Sequence, residues 1–397
     1  MPGTAALALD VVLVVVLILA LLYGYSRGLF RVVGGVLGMI VGAIAAFFLL
    51  PLVSTWAALS AWRVPLALAA GVLLVSIGYA IGVALGNVIR KPLHKTPLRV
   101  VDRVLGAVVN VAVTLVVVSL LAFGAQSLGA PLLTQAMASS TVLRTLDDLT
   151  PRPVASFLAQ MRSTIVTDGL PRLIDAVGVP TTAPAIPDVA LDSPTLTEAA
   201  GSVVRITGNA PSCGTGSVGS GFVVAEDRIL TNAHVLAGVT ELVVEVPGEL
   251  PQAGRIVYFD PVDDLALVAV DGLDAVPLAV SPTLPAGTQA AFMGYPYGGP
   301  FSAQAAEVLT SGPTLVGDIH GVNPLPREIS TLAANVQQGN SGGPLLTVDG
   351  AVAGVIFAKS DATANVGYAL AMGEVLPVIA QAPELTDAVA SGDCVTR

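Results

Sequence analysis

Three segments in the second half of the chain carry residue types that can perform nucleophilic chemistry. They are Thr231-Asn-Ala-His234, Asp263-Asp264-Leu-Ala-Leu267 and Gln338-Gly-Asn-Ser341-Gly-Gly-Pro344. A serine hydroxyl needs a neighbouring base to become a good nucleophile. A histidine can take that proton and return it to the leaving group, and a carboxylate can hold the histidine in the required tautomer. The segments predict Ser341 as nucleophile, His234 as base and either Asp263 or Asp264 as the orienting carboxylate.

The glycines around Ser341 predict a place for negative charge. A glycine beside the nucleophile allows a tight turn that exposes the serine, and it lets the backbone N–H groups of Gly339 and Ser341 converge as an oxyanion hole. Losing one such donor costs about 2.7–4 kcal/mol of transition-state stabilisation. Taken singly, His234 fits a core histidine, Ser341 a glycine-rich turn and Asp264 a turn cap. Their occurrence together favours catalysis.

Short β runs separated by turn residues surround these segments. Ser202–Thr207, Glu241–Val246 and Leu265–Val270 are examples, and Gly, Pro, Asp and Asn fill the gaps. Many such runs within one region indicate a sandwich or a barrel. The order His, Asp, Ser, together with the flanking Thr-Asn-Ala-His and Gly-Asn-Ser-Gly-Gly-Pro, resembles the chymotrypsin-like (trypsin/HtrA-like) serine proteases.

This resemblance implies an all-β double β-barrel over residues 199–397, with barrel 1 about 199–275, barrel 2 about 276–381 and a C-terminal tail. It implies a serine endopeptidase that uses no cofactor. In the family the catalytic Asp is followed by a large apolar, a small and another apolar residue, which implies Asp264 rather than Asp263. Asn340 stands where trypsin-like zymogens have an Asp, so activation by N-terminal insertion is not expected. The S1 pocket would lie between 337–339 and 352–358, which hold no acidic residue. We therefore expect a small or medium apolar P1 residue.

The composition separates the chain into two unlike parts. Hydrophobic residues make up 54% of the chain and charged residues 12%, about half the usual charged share, and the mean hydropathy is +0.79. These values exclude a disordered chain and an ordinary cytosolic enzyme. The net charge of −10 excludes a nucleic-acid binder that relies on basic charge. Residues 1–124 carry 8 basic and 2 acidic residues, whereas the remainder carries 10 and 26.

Four apolar runs in residues 1–124 predict transmembrane helices, because each is close to the ~20 residues that cross a bilayer. The runs are Leu7–Tyr23, Val32–Leu50, Leu66–Ile89 and Val104–Phe123. Basic residues concentrate in the loops after the first and third runs, which the positive-inside rule assigns to the cytoplasm. Both termini are then expected outside the cytoplasm, with the whole region after residue 124.

Glycines at helical spacing, such as Gly34, Gly38 and Gly42, predict close packing of the spans. A channel or carrier is the alternative, but it would need several intramembrane charges. Asp10 is the one charged residue within a predicted span. Short, glycine-rich spans with a basic loop before the fourth resemble the CvpA-type (colicin V production) membrane domain. Residues 125–198 predict amphipathic helices followed by a Pro/Thr/Ala-rich linker.

The chain has two cysteines, Cys213 and Cys394, and both fall outside the cytoplasm in this topology. An oxidising compartment favours a disulfide between them, and two free thiols are the alternative. The bond would either restrain the two barrels relative to each other or act as a structural staple. Three histidines, one of them assigned to catalysis, and the lack of a clustered His/carboxylate set predict no metal site.

The whole arrangement resembles the MarP-type membrane-anchored periplasmic serine proteases, which are associated with resistance to acid and oxidative stress. It implies a multi-pass protein of the inner membrane whose protease domain is extracytoplasmic. The expected partners are the lipid bilayer and cell-envelope protein substrates, the protein's own linker among them, and no nucleic acid. The alternative from another class is a membrane scaffold or sensor whose protease-fold domain binds peptides without cutting them.

Overall fold

Four long apolar helices occupy the N-terminal part of the computed structural model. They are α1 (Pro2–Arg27), α2 (Leu29–Trp56), α3 (Arg63–Leu93) and α4 (Leu98–Gln126). The structure describes residues 2–56, 63–93, 97–126, 137, 140–150, 153–154, 172–173, 180, 182–213 and 215–395. The chain divides into two units, one spanning Ala8–Ser119 and the other containing Leu120–Arg397.

All four helices are long and apolar enough to cross a membrane. The apolar windows span 22, 21, 23 and 21 residues, against the ~20 that a bilayer requires. Large side chains on them are exposed, Phe47 by 75% and Leu7 by 68%. Aliphatic and aromatic side chains at this density suit contact with lipid rather than water. The predicted set of four apolar N-terminal helices is confirmed.

Glycines place α2 and α3 in backbone contact. A Cβ added at Gly82 would overlap the carbonyl of Gly34, and one at Gly38 would overlap the carbonyl of Gly78. Small residues spaced by four let two helix backbones approach closely where apolar burial gives no driving force. The predicted close packing therefore rests on these pairs.

A buried ion pair joins the ends of three helices in this unit. Arg90 of α3 donates to Asp102 of α4 at 2.8 Å, and both side chains are about 95% buried. The other Asp102 oxygen accepts the backbone N–H of Phe30, at the start of α2. Hydropathy gives no sign of this pair, because Asp102 lies just before the predicted fourth span.

The second unit is built from strands. They are β1 (Arg172–Leu173), β2 (Val203–Ala210), β3 (Thr215–Ala225), β4 (Arg228–Thr231), β5 (Glu241–Glu245), β6 (Gln252–Asp260), β7 (Leu265–Ala269), β8 (Gln289–Gly294), β9 (Ser302–Val316), β10 (Leu325–Ala333), β11 (Pro344–Leu346), β12 (Val352–Ser360) and β13 (Val366–Ala371). Short helices accompany them: α5 (Thr141–Leu149), α6 (Pro194–Ala200), α7 (Ala233–Leu236) and α8 (Met372–Gln381).

Two barrels result from the strand pairing. The first closes in the order β2-β3-β4-β7-β6-β5. The second follows the order β12-β11-β8-β9-β10-β13, and a further β12–β13 pairing closes it. Alternate side chains of these strands fill continuous apolar cores that include Phe222, Phe292 and Tyr368. The predicted all-β double barrel is confirmed.

The predicted linker has a more ordered end than its composition indicated. Ser193 caps α6 by accepting the N–H of Leu196, and Leu196 and Ala199 are buried in a core shared with Phe222. The predicted boundary between residues 198 and 199 thus lies inside a helix that packs on the barrels. Further upstream, β1 pairs in parallel with Lys359 and Ser360 of β12. Of the amphipathic helices predicted in residues 125–198, the structure describes one at Thr141–Leu149, and most of residues 150–181 lie outside the described residues.

A disulfide joins Cys213 to Cys394 across 181 residues of sequence. Backbone contacts accompany it, since Gly238 donates to the carbonyl of Ser391 at 3.2 Å and the Ser391 hydroxyl donates to Val239 at 2.7 Å. The C-terminal tail is therefore fixed to the first barrel both covalently and by hydrogen bonds.

Candidate active site

His234 and Asp264 form a buried pair within the first barrel. His234 lies on the single turn of α7 that follows β4, and Asp264 directly precedes β7. The Nδ1 of His234 lies 2.7 Å from Oδ2 of Asp264, and the backbone N–H of His234 donates to Oδ1 at 2.9 Å. Their side chains are only 4% and 3% exposed. The structure thus brings Asp264, and not its neighbour Asp263, to the histidine.

The geometry fixes the tautomer of His234. An ionised carboxylate can only accept hydrogen bonds, so the proton of the neutral imidazole lies on Nδ1 and Nε2 is left as the acceptor. Nε2 is buried and has no hydrogen-bond partner among the described residues. Catalytic hydrogen bonds are often long in free enzymes and tighten when substrate binds. The unpartnered Nε2 is therefore available to take a proton.

Asp264 has a strained backbone, and one side-chain amide holds its main-chain carbonyl. Asp264 adopts φ +53°, a left-handed conformation that non-glycine residues seldom adopt outside turns and functional sites. The Asn232 amide donates to the Asp264 carbonyl at 2.8 Å. Asn232, the residue before α7, thus links that helix directly to the turn that carries the carboxylate.

Ser341 lies in a tight turn that begins the second half of the site. Asn340 organises this turn: its N–H donates to the Gln337 carbonyl at 3.0 Å, and its side-chain oxygen accepts the Gln337 N–H at 2.9 Å. Gly342 has φ +81°, and a Cβ there would overlap Ser220 and Thr231. Thr231 lies three residues before His234, so this close approach brings the Ser341 turn to the segment that carries the histidine.

Two backbone donors beside Ser341 are available. Gly339 adopts φ +90°, which glycine tolerates readily. The N–H groups of Gly339 and Ser341 have no hydrogen-bond partner in the part of the chain that the structure describes. Unpaired buried N–H groups are rare in folded proteins. Two of them, separated by Asn340, suit an oxygen that acquires negative charge.

Ser220 is a site residue that the sequence analysis did not single out. It is fully buried on β3, its hydroxyl donates to the Gly339 carbonyl at 2.6 Å, and it accepts the Tyr295 N–H at 2.9 Å. Its backbone N–H also donates to the Ser341 carbonyl at 2.8 Å. The side chain thus joins the Ser341 turn to both barrels. The Gly219-Ser-Gly221 sequence was the available signal.

Two ionisable groups near the site have shifted pKa values. Burial raises the pKa of Tyr295 to about 12, against the lowering influence of Arg205, so its phenol stays neutral. Burial also raises the pKa of Asp263, with further contributions from the carboxylates of Asp260 and Glu374. Neither group contacts the His234 ring, whose carboxylate partner is Asp264.

An open cavity of about 620 Å³ adjoins the Ser341 turn. It lies between the end of the linker, the residues after β8 and the start of β9, and Gln337 borders it. The predicted S1 walls at 337–339 and 352–358 remain a prediction.

Known proteins match both parts of the chain. Residues 219–355 match the trypsin-like peptidase domain family, and residues 9–151 match the colicin V production protein family. The serine protease Rv3671c of Mycobacterium tuberculosis (strain ATCC 25618 / H37Rv) is 35% identical over 320 residues, which cover 78% of this chain and 79% of the relative. The chain belongs to the family of serine protease Rv3671c.

The structural likeness agrees with this assignment. The protease domain matches the crystal structure of the Rv3671c protease from M. tuberculosis in its active form, with 36% identity and a TM-score of 0.53. The match covers 57% of this chain and 100% of the solved chain. A probable periplasmic serine endoprotease, DegP-like, of Pseudomonas putida (strain W619) is 34% identical over 160 residues, 39% of this chain and 32% of the relative. The chain is thus a serine endopeptidase joined to a multi-pass membrane domain.

Proposed function

We propose that the protein is a membrane-anchored, extracytoplasmic serine endopeptidase that uses His234, Asp264 and Ser341 to cleave cell-envelope proteins. The observation that carries the proposal is the His234–Asp264 pair at 2.7 Å, whose free Nε2 can act as base. The same domain also offers the unpaired backbone N–H groups of Gly339 and Ser341.

The chemistry follows from these atoms. Nε2 of His234 takes the proton of the Ser341 hydroxyl as its oxygen attacks the peptide carbonyl, and the C=O electron pair moves to the carbonyl oxygen. The N–H groups of Gly339 and Ser341 stabilise that oxyanion. The protonated imidazole, stabilised by Asp264, then protonates the leaving amine, and water releases the acyl group by the same steps.

The extracytoplasmic location rests on charge and on the cysteines. Seven of the eight basic residues of 1–124 fall in the loops after the first and third spans, which favours a cytoplasmic position for those loops. The region after α4 then lies on the other side of the membrane. The Cys213–Cys394 disulfide suits an oxidising compartment.

The protein's own linker is one candidate substrate. The edge of β12 at Lys359 and Ser360 already pairs with the backbone of β1, which belongs to the region between the membrane spans and the barrels. An extended chain adding to a free sheet edge is a general mode of peptide recognition. We propose that an external peptide displaces β1 from this edge, and that the linker itself is cleaved when it shifts towards Ser341.

The test is hydrolysis of an unfolded protein substrate by the full chain in detergent, with Ser341→Ala as the inactive variant. Ser311→Ala is the matched serine control, because Ser311 is exposed on β9, away from the site. We expect wild type and Ser311→Ala to cleave and Ser341→Ala to lose activity by roughly 10³-fold or more. Binding without cleavage by all three proteins would instead support the alternative, a peptide-binding scaffold. The structure is compatible with that alternative, because Nε2 of His234 has no hydrogen-bond partner among the described residues. For the proposed role in acid and oxidative stress, a deletion strain should regain survival with the wild-type chain and not with Ser341→Ala.

A further inference from the structure

The loop that follows β8 holds the peptide bond before Gly339. A single helical turn, Pro296–Gly298, follows Tyr295, and within it Tyr297 adopts φ 57° and ψ 22°. This left-handed conformation directs the Tyr297 N–H to the carbonyl of Gln338, at 2.5 Å. The loop therefore contacts the Ser341 turn through a backbone hydrogen bond that no side chain specifies.

That hydrogen bond sets the direction of the Gly339 N–H. In a trans peptide the C=O of one residue and the N–H of the next point in opposite directions, and the described chain has no cis peptide bonds. With the Gln338 carbonyl directed at Tyr297, the Gly339 N–H points away from the loop. A half-turn of this peptide plane would replace the donor by a carbonyl oxygen and would repel an oxyanion.

Arg205 fixes the loop from the first barrel. One edge of its guanidinium pairs with both carboxylate oxygens of Glu245, at 3.0 and 2.5 Å. The remaining nitrogen, Nη1, donates to the Gly298 carbonyl at 3.0 Å. Arg205 and Glu245 face each other on β2 and β5, so the barrel itself sets the position of the guanidinium.

Tyr295 is the second contact of the same guanidinium. The Arg205 Cζ lies 5.8 Å from the Tyr295 ring centroid, and the Tyr295 N–H is bound to the Ser220 hydroxyl. The two ends of the turn, Tyr295 and Gly298, are thus both held by one planar group. A lysine carries a single ammonium and cannot pair with two carboxylate oxygens, bind Gly298 and lie over the ring together.

We propose that Arg205, held by Glu245, is a positioning residue for the oxyanion hole: it fixes the 295–299 loop so that the Tyr297 N–H keeps the Gly339 N–H directed at the oxyanion. This inference rests on the proposed role of Gly339. It assigns no contact between Arg205 and substrate, so its effect belongs to the transition state rather than to substrate binding.

The experiment compares Arg205→Met with wild type as full chains in detergent, using one peptide substrate. We expect kcat to fall 10- to 100-fold, below the 10²- to 10³-fold loss of a deleted oxyanion donor, with KM changed less than twofold. Arg205→Lys, which can still donate to Gly298, should recover part of kcat. Arg255→Met is the matched control, because Arg255 forms a two-pronged pair with Asp271 on the same barrel, and it should retain wild-type kcat.

A second measurement separates positioning from loss of folded protein. A peptidyl trifluoromethyl ketone reacts with the Ser341 hydroxyl to give a tetrahedral adduct that carries an oxyanion. The Ki of this ketone should therefore rise by the same factor as kcat falls. The Kd of the substrate peptide for Ser341→Ala should stay the same when Arg205→Met is added. Where Arg205→Met does not fold, Glu245→Gln, which keeps the side-chain shape, takes its place with the same expectation.

Folded Arg205→Met with wild-type kcat, or with raised KM and unchanged kcat, would overturn the proposal. So would a Ki for the ketone that does not move. Failure of the proposed function gives a different result, because wild type and Arg255→Met would then show no hydrolysis that Ser341→Ala abolishes.

Discussion

Replacing Asp264 with Asn should remove most of the activity while leaving the shape of the site unchanged. Asp264 accepts two hydrogen bonds from the same residue, one from the His234 backbone N–H at 2.9 Å and one from Nδ1 at 2.7 Å. The backbone N–H can only donate. In Asp264→Asn the amide oxygen must therefore face the backbone, and the NH₂ group must face Nδ1.

An NH₂ group facing Nδ1 forces the histidine into the other tautomer. Nδ1 becomes the acceptor and Nε2 carries the proton, so Nε2 cannot take a proton from Ser341. In the Ser-His-Asp mechanism, a wrong tautomer with intact geometry lowers kcat about 10⁴-fold, equivalent to about 5 kcal/mol. We expect a loss of this size at neutral pH.

The assay is peptide hydrolysis by the full chain in detergent, with the melting temperature measured in parallel. Asp263→Asn is the matched control, since it makes the same substitution one residue away and leaves the His234 pair intact. We expect its kcat to stay within about threefold of wild type. A kcat for Asp264→Asn within tenfold of wild type, or a larger loss in Asp263→Asn, would refute the assignment.

Three further outcomes follow from the structure. Cys213→Ser with Cys394→Ser should lower the melting temperature by several degrees, and a reduced rate per folded molecule would show that the disulfide also restrains the barrels. Burial raises the pKa of Asp263 in the folded protein, so ionisation of this carboxyl destabilises the fold at pH values above that pKa. Asp263→Asn should therefore have a higher melting temperature than wild type at pH 7. The difference should vanish as the pH falls below the ordinary aspartate range, where Asp263 is protonated in both states. Gly82→Ala should separate α2 from α3 and lower the melting temperature of the membrane unit, whereas Leu85→Ala, at an exposed position of the same helix, should have a smaller effect.

The sequence was most informative where local motifs coincide with function. Short segments 30 residues apart predict His234 and an aspartate as partners, and in the structure Nδ1 of His234 lies 2.7 Å from Oδ2 of Asp264. The family pattern implies Asp264 rather than Asp263 because of the apolar residues that follow Asp264, and these form the buried strand β7. Motifs of this kind are local, so one sequence suffices to find them.

The supporting contacts could not be predicted in the same way. Ser220 reaches Gly339 across 119 residues and Arg205 reaches Gly298 across 93, and an isolated Ser or Arg on a strand gives no sign of a partner at that distance. The Pro, Thr and Ala residues of α6 predict a tether rather than a packed helix. The burial of Leu196 depends on the barrels that it packs against, and composition cannot show it.

The most direct test of the catalytic site is the site of reaction with a fluorophosphonate probe, located by mass spectrometry in the folded full chain. The account predicts one adduct, on the peptide that contains Ser341, which is lost on heat unfolding and in Ser341→Ala and is strongly slowed in Asp264→Asn. No adduct in the folded protein, or an adduct that persists in Ser341→Ala, would contradict it.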